Sequence, residues 1–165
     1  AAIVAAGIWL VVAGGDRGVA RALLWLLAFF GLSLGVYAQF FPRAFYDDFP
    51  FGRSWVAHDG PYNEHLIRDF GAMNLALTAV TLAALYFGSL AAARAAAAGW
   101  IVFSVPHFLY HLRNLEHYDT VDQIGNVVAL ASGLLLAVAL GIVLARPPRR
   151  LAPPTAARTD VNIPA

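Results

Sequence analysis

His107, His111 and Asn114 stand four and then three residues apart in the stretch Val105-Pro-His-Phe-Leu-Tyr-His-Leu-Arg-Asn114. On a helix this spacing puts all three on one face. Two imidazoles one turn apart offer two nitrogens to a single ion, and a carboxylate from a neighbouring helix completes a set of two histidines and one carboxylate. The stretch His58-Asp-Gly-Pro-Tyr-Asn-Glu-His-Leu-Ile-Arg-Asp69 supplies that carboxylate. His65 and Asp69 are four apart and share a face, while Glu64 and Arg68 occupy an adjacent face and pair with each other. The expected metal ligands are therefore His65, Asp69, His107 and His111, with His58 or His117 as a further donor. His107, His111 and Asp69 are the residues expected to carry chemistry. Iron, copper or zinc suits such donors, and a metal with an open position would activate water or dioxygen for oxidation or hydrolysis of a lipid-soluble substrate.

Other readings stay open on the same residues. Without a metal, His107 or His111 is a general acid–base group, poised by Asp69 or Asp122, for proton transfer on an apolar substrate of isoprenoid type. As a non-enzyme, the chain is an accessory subunit of a larger membrane complex, its polar residues forming an inter-helix hydrogen-bond network. Haem held between two histidines is a further alternative. Polar groups at helix ends also commonly do no more than cap helices and reach interfacial water, the plainest account of His58, His65 and His117. His-x-x-x-His arises by chance, and no Glu-x-x-His repeat marks a di-iron bundle.

The elements that position these residues are membrane helices. The 165 residues are 60% hydrophobic and only 13% charged, with mean hydropathy +0.66, whereas soluble domains are about a quarter charged. Net charge is +1 and every cation is an arginine, so there is no basic surface for nucleic acid. The absence of cysteine excludes disulfides, thiolate catalysis and iron–sulfur clusters built from this chain. Apolar runs predict an all-α, polytopic membrane helix bundle with four spans: Val19–Phe41, Glu64–Leu90, Ala95–Leu115 and Val121–Ala145. Residues 1–18 form an apolar N-terminal segment whose first thirteen residues are a candidate fifth span. Residues 42–63 and 116–121 are polar loops, the first rich in aromatic residues suited to the headgroup level. Ser89 to Ala98 reads as a tight alanine-rich turn, and 146–165 as a disordered tail. Gly31 and Gly35 form a G-x-x-x-G pair that lets two helices approach closely, a contact available to a protein partner or a second copy of the chain.

Arginines set the expected orientation. Arg17, Arg21, Arg94, Arg146, Arg149 and Arg150 fall on one side, which the positive-inside rule makes cytoplasmic. The chain is thus expected in the plasma (inner) membrane, multi-pass, with a cytoplasmic tail and the histidines at the extracytoplasmic end. Counting about 1.5 Å per residue from the cytoplasmic turn puts His107 about 18 Å up, His111 and Asn74 both about 24 Å, and Asn114, Asp69 and Asn126 about 30 Å. His65 and Asp122 follow at about 36 Å. Polar residues at matching heights on three helices predict an outward-opening cavity, with Asn74, Asn114, Asp122 and Asn126 lining it beside the histidines.

The segments Phe45-Tyr-Asp-Asp-Phe-Pro50, Gly60-Pro-Tyr-Asn-Glu-His-Leu-Ile-Arg-Asp69 and Pro106-His-Phe-Leu-Tyr-His111 resemble those of a family of small four-helix integral membrane proteins of actinobacterial type. The resemblance runs from about Val19 to Ala145. It implies the membrane fold and carries no activity or catalytic residue.

Overall fold

The computed structural model describes residues 15–146, so the expectations for residues 1–14 and for the tail after Arg146 lie outside the described residues, while residues 15–18, expected in the N-terminal segment, belong to the first helix. Within them the chain is all helical: α1 (Gly15–Phe40), a short α2 (Pro42–Asp48), α3 (Glu64–Phe87), α4 (Leu90–Arg113) and α5 (Thr120–Ala145). Two 3-10 turns, Trp55–Asp59 and Leu115–His117, sit in the linkers. Helices α1, α3, α4 and α5 are long and apolar enough to cross a membrane. Their 24 to 26 residues extend about 36–39 Å, against a hydrocarbon thickness of about 30 Å.

Local chemistry sets the helix ends. The side chains of Asn63, Ser89 and Asp119 accept hydrogen bonds from the backbone N–H groups of Leu66, Ala92 and Asp122 at 3.1, 3.3 and 2.8 Å, supplying acceptors to donors that the first helical turn leaves free. Gly88, at φ +61°, closes α3 in the left-handed conformation that glycine adopts without a Cβ penalty. Ser89 caps α4 immediately afterwards. The turn is therefore two residues long, and the expected turn over Ser89 to Ala98 is corrected: its alanines, the strongest helix formers, are the first turns of α4. Arg94 is accommodated there by donating to the Leu144 carbonyl at 2.9 Å. The early start of α4 changes the heights. His107 packs on Phe70, ring centroids 5.7 Å apart, and Asn74 is level with Phe103 rather than with His111.

Helices adjacent in sequence pack side by side, and α5 closes the ring against α1. The closest seam joins α1 to α3, and it depends on small residues. A Cβ built on Gly71 would lie 2.5 Å from the backbone nitrogen of Gln39. On Gly31 it would lie 2.6 Å from the Trp100 ring, and on Gly35 2.8 Å from Leu75. The G-x-x-x-G pair thus serves packing within the bundle. Near the α3–α4 turn, Leu24, Leu27, Ala96, Ala97, Trp100 and Leu140 form the main core, with the Trp100 indole donating to Thr81 Oγ1 at 2.9 Å. At the opposite end a smaller cluster forms around Ala38, Phe45 and Ile67.

Candidate functional site

The linker between α1 and α3 lies as a strap across the end of the bundle remote from the α3–α4 turn. Its anchor is Asp122, a buried carboxylate in the first turn of α5. Asp122 accepts the Trp55 indole N–H at 2.7 Å and the guanidinium of Arg53, and Arg53 also reaches Asp119 at 3.5 Å. Tyr118, buried just before α5, donates toward the Trp55 carbonyl at 3.1 Å and Asp59 Oδ1 at 3.3 Å. Tyr46 donates to the Gly60 carbonyl at 2.8 Å. Burial, then the neighbouring Asp59 carboxylate, pushes the Tyr118 phenol well above the usual tyrosine range. Raised in the folded state, this pKa gives stability that is complete below the ordinary tyrosine pKa of about 10 and is lost only as pH climbs through the higher folded value. In a spectrophotometric titration, wild type and Tyr118→Phe should therefore ionise the same number of phenols up to about pH 11. One extra phenolate in the wild type below that pH would contradict the assigned environment.

The strap carries Asp59 to α4. Asp59 Oδ2 stands 3.9 Å from His111 Nδ1, and that nitrogen is buried without a hydrogen-bond partner. His107 follows one turn deeper, its ring 4.8 Å from that of His111 and stacked at 5.1 Å on Phe103. Beneath the strap is a cavity of about 800 Å³. Its walls are largely aromatic and aliphatic: Phe30 and Leu34 from α1, Phe45 and Phe49, Trp55 and Val56 of the strap, Ile67 and Phe70 from α3, and Leu130 from α5. Polar groups are few among them and include Asp59, Glu64, His111 and Asn126. Asn126 is 2% exposed, and its Oδ1 has no partner.

The expected site residues separate into groups. His65 and Asp69 do pair, at 3.1 Å, but their side chains are 87% and 64% exposed, away from His107 and His111. The face they share is not the one that α3 buries through Ile67 and Phe70. Among the described residues no three histidine or acidic side chains gather as a ligand set. The Glu64–Arg68 pair forms at 2.8 Å as expected. Asn74 is buried and donates to the Phe70 carbonyl at 2.9 Å, outside the cavity wall. Asn114 closes α4, its side chain donating to the Tyr110 carbonyl at 2.7 Å. Asp122 holds the strap instead of facing the cavity. His58 packs on the Tyr118 ring at 5.1 Å, and His117 lies near the Asn114 carbonyl. Of the lining expected from sequence, His111 and Asn126 meet the cavity, joined by Asp59, which spacing did not single out.

The molecule is thus an all-α bundle of four long apolar helices, consistent with a multi-pass membrane protein, holding an apolar cavity with a His–Asp pair in its wall. No family model, curated protein or solved structure matches the chain.

Proposed function

We propose that this membrane protein takes a lipid-soluble molecule into its cavity and exchanges a proton with it through His111, with Asp59 positioning the imidazole. The observation that carries this reading is a cavity of about 800 Å³ with mainly apolar walls and one imidazole–carboxylate pair 3.9 Å apart. Its size falls in the range of small-molecule sites, about 300–1,000 Å³. At 3.9 Å the pair is longer than a hydrogen bond, so Asp59 acts on the imidazole through its charge and leaves Nδ1 open to the bound molecule. An imidazolium formed by proton uptake would be stabilised by Asp59, and an apolar surround strengthens that attraction. Arg17, Arg21, Arg94 and Arg146 cluster at the end with the α3–α4 turn. The positive-inside rule then puts the strap and cavity in the extracytoplasmic half of the membrane.

Two of the other readings fare differently. An accessory subunit would present small residues to its partner, whereas Gly31 and Gly35 are occupied within the bundle. A metal at His107 and His111 would recruit Asp59, the carboxylate beside His111, in place of Asp69. Elemental analysis of purified protein beside His107→Ala/His111→Ala decides this. Stoichiometric iron, copper or zinc lost in the double variant would replace the metal-free mechanism.

The cavity itself is tested by filling it. Leu34→Trp and Leu130→Trp place bulk in the deep wall and should weaken binding of an apolar fluorescent dye about tenfold or more, with the melting temperature retained. Undiminished binding in both folded variants would remove the cavity as the site.

A further inference from the structure

Three features of the cavity wall select the headgroup of the molecule it holds. The first is charge. Among the described residues the ionisable acids in the wall are Asp59 and Glu64, and no arginine lines it. Arg43, Arg53 and Arg68 are engaged by Asp47, Asp122 and Glu64 respectively. A phosphate or carboxylate headgroup would meet acids in the wall with no arginine among the lining residues to offset its desolvation. The second is unmet hydrogen bonding. Asn126 Oδ1 and His111 Nδ1 are both buried and without partners, and both residues line the cavity. Hydrocarbon alone would leave both atoms unsatisfied, a costly state. Asn126 lies about 9 Å inside the end of α5 at Thr120, and His111 about 3 Å inside the end of α4 at Arg113. A single ligand that satisfies both must carry polar atoms at two places on one body. The third is shape. Phe45 and Phe49 stack at 4.7 Å, and Trp55 stands edge-on to Phe49 at 6.3 Å, a surround that suits a planar ring.

We propose that the cavity binds a lipid-soluble ring with oxygens at opposite ends, the quinone–quinol class, one oxygen against Asn126 and the other against His111. The assignment rests on the cavity being the binding site. Leu66 and Tyr110, both in the wall and more than half exposed, mark a mouth between α3 and α4 through which an isoprenoid tail reaches the bilayer. Asn126 takes the deeper oxygen as donor or acceptor, since either end of its amide can turn to it. His111 meets the outer oxygen, where a quinol hydroxyl donates to the imidazole or an imidazole N–H donates to a quinone carbonyl.

The test uses the full chain in lipid nanodiscs, with three probes: a short-tailed benzoquinone, farnesol (an alcohol without a ring) and lauric acid. Tryptophan fluorescence and melting temperature are read for each. The expected result is saturable quenching by the quinone that weakens about tenfold in Asn126→Leu and in His111→Leu, the loss of one buried hydrogen bond each. Asn126→Leu removes an unpartnered group and should melt no lower than wild type, so its effect is on binding. Quenching that rises without saturation and is the same in all variants reflects quinone dissolved in lipid and overturns the assignment. If farnesol or lauric acid raises the melting temperature and the quinone does not, the ring class is wrong while the cavity stands. If none of the three binds, the cavity reading falls too.

Discussion

Gly71→Ala is expected to destabilise the bundle by about 3 kcal/mol, the upper end of the usual cost of overpacking. The added methyl would meet the backbone of Gln39, at 2.5 Å from its nitrogen and 2.9 Å from its Cα. A flexible side chain can swing away from such a contact, but a helix backbone cannot, so α1 and α3 must separate along their whole seam. In lipid this matters more than the size of the methyl suggests. Between membrane helices there is little hydrophobic driving force, and close van der Waals packing carries much of the association. Gly141→Ala is the control, because its nearest neighbour, Ile101 Cδ1, would lie 3.8 Å away, an ordinary contact. Unfolding in mixed micelles with increasing dodecyl sulfate should show a large loss for Gly71→Ala and almost none for Gly141→Ala. Equal stability of the two would mean that the α1–α3 seam is looser than described.

Arg53→Ala and Asp122→Leu are expected to free the strap, with chymotryptic cleavage between Phe49 and Trp55 accelerating about tenfold or more as local opening becomes cheaper. Asp122→Leu removes the acceptor of both Trp55 and Arg53. Arg53→Ala leaves the buried carboxylate with the indole as its remaining side-chain donor. Because Arg53 and Trp55 share Asp122 as acceptor, and the remaining Arg53–Asp119 pair is exposed, the double variant should be cleaved little faster than Asp122→Leu alone. Multiplied effects would show that Arg53 and Asp122 act separately. Freeing the strap also withdraws Asp59 from His111, so both variants should lose the cavity's ligand binding together with protease resistance.

Much of the bundle was legible because membrane helices announce themselves as long apolar runs, and all four expected spans are present. The start of α4 is harder to read, because Arg94 among alanines resembles a turn. Gly88 followed by Ser89, a C-cap residue abutting an N-cap residue, was the stronger signal. The helix-face rule worked where it applies: His65 meets Asp69, Glu64 meets Arg68, and His107 meets His111 edge-on. It says which residues share a face but not which way the face turns, and Asp69 was assigned to the cavity for want of that information. Asp59 was missed for a different reason. It sits in a 3-10 turn before Gly60-Pro61, where no periodicity gives direction, and its place beside His111 is set by anchors far along the chain, Asp122 and Tyr118. Asn126 was legible as an amide that hydrocarbon would penalise. That it points into an apolar cavity without a partner is a property of the packed structure alone.

The closest seams join α1 to α3 and α4 to α5, so the bundle is two leaves set face to face. Near the α3–α4 turn the leaves are riveted by Trp100 and the core around it. At the other end they are buttoned by Arg53 and Trp55 of one leaf on Asp122 of the other. A button made of charges, set at the rim of the hydrocarbon, can trade its bonds for water as it opens, while the rivet has no such exchange available inside lipid. The end held by charges is therefore the one whose bonds water can replace. Ionic strength and headgroup charge at the membrane surface, more than the fluidity of the chains below, would set how often the leaves part.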